Sequence, residues 1–496
     1  MKSFTRRSAL TLGGAAVGWF AARGLGSDLP VYDGVKRLGG EASSAVLMND
    51  ASGLSAMPIH KHLILTESAD NALIAALRRE LAEASSEGRP VNVGAARHSM
   101  GGQAIPRQGT ALTFDNGALE LDSANRTYRV HAGARWSQVI AALDPQGWSP
   151  AVMQSNHDFG VAATFSVNAH GWPVPFGPMG ATVRSLRMLL PSGDVVTCSL
   201  SENADLFRLA MGGYGLIGII LDLDVDMVPN RRLIPRFDLM PAANFPAAFR
   251  AAVDDRTVSM AYGRLNVERA RFFEKALLIT YRETPDQSDL PPAPGSGWVS
   301  RAAARLYRAQ LGNETFKSVR WWCETELGTV LGGGETTRNA LINEPVQTLD
   351  DRDPNRTDIL HEYFISFDVF DAFLEACRAV IPSSYQEFLN VTLRYVAQDD
   401  QSALSYATTP RIAAVMSFSQ EMTARAEADM QRMTEQLIDL IAKIGGAYYL
   451  PYRPHARLDQ MAAVYSGAVD FAAQKRRLDP HLVLRNNLWD SYLGHL

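Results

Sequence analysis

The stretch Val91–Ala104, VNVGAARHSMGGQA, starts as a strand and turns into a loop built almost wholly from residues without bulk. Its opening "PVNVGA" has the short apolar pattern of a buried strand. From Gly94 onward, small side chains let the backbone N–H groups approach a ligand closely. No acidic residue stands in the loop, so it suits an anion, and a diphosphate in particular. Arg97, His98 and Ser99 sit side by side in its middle, and Gly101, Gly102 and Gln103 continue the row of donors. The plainer alternative is a tight turn that happens to carry a histidine.

Reading outward from this loop, the pattern alternates between strand and helix from about Pro58 to Pro229. "KHLILT" and "ALTFD" are strand-like, and "DNALIAALRRELAEASSEG" is an amphipathic helix with an Asp/Asn start and a Gly stop. "TYRVHAG" reads as a strand and "RWSQVIAALDPQG" as a helix. "VRSLRMLLPSGDVVTCSL" reads as a hairpin and "GLIGIILDLDVDMVP" as a long strand. Gly213, Gly215 and Gly218 fit G-x-G-x-x-G but run into a period-two strand. The helix N-terminus that a dinucleotide fingerprint needs is therefore missing.

After about Asn230 the texture changes. Longer strands ("KALLITYRE", "EFLNVTLRYVA", "RIAAVMSFS") alternate with long helices such as "TARAEADMQRMTEQLIDLIAKI", which stops at Gly445-Gly446. "TPDQSDLPPAPGSG", 284–297, is a loop. The expected fold class is α+β. A two-subdomain unit spans 58–229, and a second domain with an antiparallel sheet flanked by helices spans 230–450. The segment 451–496 is expected to return to the first unit.

The chain has 496 residues, 46% hydrophobic and 20% charged, which suits a globular protein of two or three domains. A net charge of −5 excludes a basic nucleic-acid footprint. Cys198, Cys323 and Cys377 are scattered without a CxxC, so neither a disulfide framework nor a metal site is expected. Residues 1–30 carry Arg6 and Arg7 before an apolar run, Ala9–Ala22, that is shorter than the roughly 20 residues of a membrane span. This segment resembles a twin-arginine signal peptide, which implies a periplasmic or secreted protein. An ordinary signal peptide or an N-terminal anchor is the alternative. Residues 31–57 read as a linker or lead-in.

The loop then acquires a family. It resembles the "G-x-x-[HR]-S-x-x-G-Q" loop that comes after a strand in the PCMH-type, or vanillyl-alcohol-oxidase-type, flavoproteins. A second stretch, from "SNHDFGVAATFSVNAHG" through "PSGD", "ENADLF" and "GGYGLIG" to the strand ending at Asn230, matches the same family's pattern. "KRRLDPHLVLRNNLWDSY" is similar to its C-terminal segment. The resemblance implies FAD, with Gly94, Ala95, Ala96, Arg97, His98, Ser99 and Gln103 around the diphosphate. It places Ser155, Gly160, Ala163, Asn168, His170, Gly171, Ile219 and Asn486 in the rest of the cofactor site. It implies a covalent bond from His98 to the flavin, as in cytokinin dehydrogenase and sugar-alcohol oxidases, although other members bind FAD without one. His170 is expected in a structural hydrogen bond.

On the substrate side, "FLNVTLRYV" as a strand puts Val391, Leu393 and Tyr395 on one face and Asn390, Thr392 and Arg394 on the other. The segment is similar to one in sugar-alcohol and lactone oxidases, where an arginine lies over the flavin. Thr392 stands where several of them have a glutamate, which departs from their polyol-binding pattern. A salt bridge from Arg394 to Asp399 or Asp400 is the alternative. "YYLPYRPHARLDQM" adds Tyr452 and His455, with Arg457 in place of a family lysine, unless it is a surface loop. The resemblance therefore implies an exported FAD-dependent oxidoreductase acting on a small alcohol, polyol or lactone. Arg394, His455 and Tyr452 would be its catalytic residues, and oxygen, a quinone or a cytochrome its electron acceptor. The rival readings are a non-catalytic flavin-fold binding protein, a dehydrogenase acting on an amine, and a C=C reductase fed by NAD(P)H.

Overall fold

The computed structural model describes residues 46–294, 306–328, 333–345 and 353–496. The twin-arginine segment lies outside them, as does most of the lead-in. A short antiparallel ladder, β1 (Leu47–Met48) with β2 (Met57–Pro58), precedes the first sheet. That sheet is parallel, with β5 (Thr110–Phe114) between β3 (Lys61–Leu65) and β4 (Val91–Val93). Parallel strands need a crossover, and the helix Asn71–Ser86 connects β3 to β4, with β5 inserted between them. Asp70 caps that helix by accepting from the Ala72 N–H at 2.9 Å. Leu73, Leu77, Leu81 and Ala84 recur at helical spacing and are buried.

The second sheet runs β10 (Val195–Ser199), β9 (Val183–Leu189), β11 (Ile219–Pro229), β7 (Thr127–His131), β6 (Leu119–Asp122), and β8 (Trp148–Pro150) also pairs with β11. All its pairings are antiparallel. The expected hairpin is β9–β10, and the expected long strand is β11 at its centre.

The third sheet is antiparallel and has eight strands. Its order is β15 (Thr336–Thr337), β12 (Arg232–Pro241), β14 (Lys275–Glu283), β13 (Val258–Leu265), β17 (Glu387–Val396), β18 (Arg411–Glu421), β16 (Arg356–Ser366), β19 (Ala447–Tyr448). Only two residue pairs join its halves, Gly263↔Leu393 and Arg264↔Thr392. Glycine is required at 263 because a Cβ there would collide with the ring of Phe245, from the helix Phe245–Asp254. The helix Ala424–Lys443 stops where Gly445 takes φ +71°. The class is α+β.

The C-terminal segment packs back on the first sheet. Val91 donates to Val483 O at 2.6 Å, and Arg485 donates to Val91 O at 3.2 Å. The turn after β19 clamps the small-residue loop: Met100 N–H reaches Pro451 O at 2.7 Å, and Gln103 Nε2 reaches Leu450 O at 2.7 Å and Tyr452 O at 2.9 Å. Through these bonds the loop is held against the face of the eight-stranded sheet.

Candidate active site

The loop after β4 is anchored at its ends. Gly94 N–H donates to Leu112 O at 2.9 Å, and Gly102 N–H donates to Asp50 Oδ2 at 2.8 Å. Between them, the N–H groups of Ala95, Ala96, His98 and Ser99 meet no acceptor among the described residues. Buried N–H groups are ordinarily paired, so this row of free donors fits an anion with several oxygens. Space is equally restricted. A Cβ on Gly160 would lie 2.8 Å from the Ala95 methyl, and one on Gly94 would lie 3.0 Å from the Arg97 guanidinium.

Arg97 adopts φ +53° and folds back over the loop. Its two contacts to Ala95 O and Leu112 O are long, 3.4 Å each, and its Nε is buried without a partner. Burial, and then the charge of Arg135, bring its pKa down to about 10. A buried cation held this weakly is suited to an anionic ligand. The His98 ring packs on Phe159 with centroids 4.4 Å apart. Burial lowers its pKa and favours the neutral imidazole.

One cleft collects most of the expected site residues. Gly94, Ala95, Ala96, Arg97, His98, Ser99, Gln103, Ser155, Gly160, Ala163, His170, Ile219, Arg394 and Tyr452 all line it. Four others lie elsewhere. Asn168 is spent behind the wall, accepting from Gly180 N–H at 2.9 Å and donating to Asp399 at 3.0 Å. Gly171 packs its Cα against the Met153 carbonyl. Asn486 caps the helix Asn487–Ser491 and donates to Tyr214 O at 2.9 Å. His455 bonds Glu427 at 2.8 Å, in a buried network with Arg453 and Thr434. The turn between Pro451 and Pro454 directs Tyr452 to the cleft and carries His455 back to the helix Ala424–Lys443. Arg457 is tied up in an exposed pair with Asp439 at 2.9 Å.

Arg394 donates to Ser155 Oγ at 2.6 Å, tying β17 to the loop after β8. Its Nε is buried and unpartnered. The alternative salt bridge does not form, because Asp399 is taken by Asn168 and Ser402 and Asp400 by Gln401. Burial lowers the Arg394 pKa, and nearby Glu362 opposes that shift.

Glu362 is absent from the residues expected on sequence grounds. It lines the cleft, is buried, and joins two of the expected residues. His170 Nε2 bonds its Oε1, and the Tyr452 hydroxyl donates to its Oε2 at 3.1 Å. His170 Nδ1 remains buried without a partner. Burial first, then Glu362, raise the Tyr452 pKa well above the phenolic value. The available signal was period two: in "LHEYF", Glu362 is in phase with Leu360 and Phe364, an acidic residue on an inward face, where a carboxylate needs partners.

A family model described as an FAD binding domain matches residues 73–199. This part of the chain bears out the resemblance drawn from the loop, and its cofactor is FAD. The matched residues include Gly94–Gln103 and His170, and the free N–H row and Arg97 fit the FAD diphosphate. Glu362, Arg394 and Tyr452 come from outside it. The chain is similar to a putative D-arabinono-1,4-lactone oxidase of Neurospora crassa, 29% identical over 23% of this chain and 20% of that protein. It is similar to the mitochondrial L-galactono-1,4-lactone dehydrogenase of Arabidopsis thaliana, 26% identical over 32% of this chain and 26% of that protein. Cytokinin dehydrogenase 7 of Oryza sativa subsp. japonica is 32% identical over 27% of this chain and 26% of its own length. The similarity thus spans about a quarter of these relatives or less. No helix of the described residues is long and apolar enough to cross a membrane.

Proposed function

We propose that the chain is an FAD-dependent oxidoreductase that oxidises a CH–OH donor of the alcohol, polyol or lactone type. The observation that carries this reading is the single cleft that joins the FAD domain's donor-rich loop to a buried Tyr452–Glu362–His170 chain and an unpaired Arg394. FAD held at the free N–H row and Arg97 would supply the hydride acceptor, with oxygen, a quinone or a cytochrome as the final electron acceptor. The protein's share is proton transfer and charge placement. Glu362 receives the donor hydroxyl's proton at Oε2, directly or by way of the Tyr452 hydroxyl bonded to it. His170 fixes the carboxylate's orientation from the other oxygen. Arg394 places a permanent cation beside the reacting centre without a competing ion pair. The names of the relatives, two of them lactone enzymes, support the substrate class. A screen of alcohols, polyols and lactones with an artificial electron acceptor tests it. Oxidation of amines alone would overturn it.

His98 is the residue we expect to bond the flavin covalently. It is neutral by burial, so its ring nitrogen has a free lone pair, and it lines the cleft between the small residues of the loop. Acid-precipitated wild-type protein should keep its yellow colour in the pellet, and His98→Ala should release it to the supernatant. Full release from the wild type would contradict the bond.

Export by the twin-arginine route is part of the same reading, since Arg6 and Arg7 precede the apolar run. Replacing both with lysine should leave flavin-loaded protein in the cytoplasm. An unchanged periplasmic yield would exclude that route.

A further inference from the structure

Four adjacent strands of the eight-stranded sheet place one residue each in a single cross-strand row. Arg264 on β13 pairs with Thr392 on β17, Thr392 with Val415 on β18, and Val415 with Glu362 on β16. Paired residues point to the same face, and Glu362 and Val415 line the cleft. Glu362 therefore stands at one end of the row and Arg264 at the other, three strand spacings or roughly 14 Å away along the sheet. Thr392 and Val415 between them are short, and the row runs from a carboxylate at its cleft end, past the part that lines the cleft, to a guanidinium at the other. Arg394, two residues along β17 on the same face, flanks it.

The charges do not cancel at the Arg264 end. Among the described residues Arg264 makes one hydrogen bond, to Thr392 Oγ1 at 3.1 Å, and no carboxylate pairs with it. The nearby Glu324 is already bonded to Arg320 at 2.8 Å, and Asn390 Oδ1 also accepts from Arg320 at 2.7 Å. Arg394 is likewise without an ion pair and has a buried, unpartnered Nε. A third donor stands close by. Trp172 packs on Tyr262 with centroids 4.7 Å apart, Tyr262 lies 5.6 Å from the Arg264 guanidinium, and the Trp172 Nε1 is buried without an acceptor. Half-buried guanidinium groups ordinarily find an acid.

We propose that Arg264, supported by Thr392 and flanked by Arg394, is an anion subsite, and that the donor is a hydroxy acid. Its carboxylate sits at Arg264 and its carbinol carbon near Glu362, several carbons away. Both guanidinium groups lack a carboxylate partner, and Arg264, at the far end of the row from Glu362, is the one that takes the carboxylate, while Arg394 bonds Ser155. The inference rests on the oxidoreductase reading and narrows its substrate.

The test is binding of hexanoate and of its neutral isostere hexanamide to the holoenzyme, read from the change in the visible flavin spectrum. Hexanoate should perturb the spectrum saturably and bind about 10- to 100-fold more tightly than hexanamide, the usual worth of a hydrogen bond to a charged group. Arg264→Met should remove that preference with flavin content unchanged, and Arg264→Lys should restore part of it. Equal binding of the two probes, no perturbation by either, or an undiminished preference in Arg264→Met would overturn the subsite while leaving the oxidoreductase reading intact. Protein that carries no flavin would overturn both.

Discussion

Glu362→Gln should lower kcat about 10²- to 10⁴-fold, the usual contribution of a positioned proton acceptor. Glutamine keeps the shape of the side chain and can still accept from the Tyr452 hydroxyl, so the cleft should survive. What it loses is the ability to take a proton at Oε2. Glu362 is buried, and both its oxygens are already oriented, by His170 and by Tyr452. Flavin content should match the wild type, because the diphosphate loop lies on the other side of the cleft. Measurement of kcat and of bound flavin in the same preparations checks this. Unchanged turnover would move the proton acceptor elsewhere.

Arg394→Ala should slow flavin reduction by the donor about 10²- to 10³-fold, the range found when a preorganised charge or donor is removed from an active site. The residue has no carboxylate partner to lose, so the effect should be in rate rather than in folding. Its one protein bond, to Ser155 in the loop after β8, is 2.6 Å long. Anaerobic rapid mixing reads the reduction rate, and Arg394→Lys should recover a fraction, since lysine keeps the charge without the planar fork. Loss of flavin with normal rates in the remaining holoenzyme would assign Arg394 to anchoring the loop at Ser155.

The loop at Gly94–Gln103 was legible in sequence because its chemistry is local. Small residues and missing acids declare an anion cradle without reference to the rest of the chain. The long strand β11 was legible for the same reason. Its preceding glycines could be rejected as a nucleotide fingerprint because they run into that strand and not into a helix. The polar face of "NVTLR" was read from its alternation, and Asn390, Thr392 and Arg394 all meet polar partners. The rest depended on pairings no local pattern carries. Glu362 meets His170 across 192 positions and Tyr452 across 90. His455 matched a motif but is drawn away by Glu427, which lies on the helix packed behind it. Asn168 and Asn486 look like cofactor ligands in the chain and are instead consumed by a backbone turn and a helix cap. Motif matching identified the segment that forms the site, and three-dimensional hydrogen bonding decided which of its side chains face the cleft.

The most direct test of the account is anaerobic mixing of the purified holoprotein with a panel of alcohols, polyols, lactones and hydroxy acids while the visible flavin band is recorded. At least one CH–OH donor should bleach the band, and Glu362→Gln should slow the bleaching. FAD that remains oxidised with every donor, in protein whose cleft is intact, would contradict it.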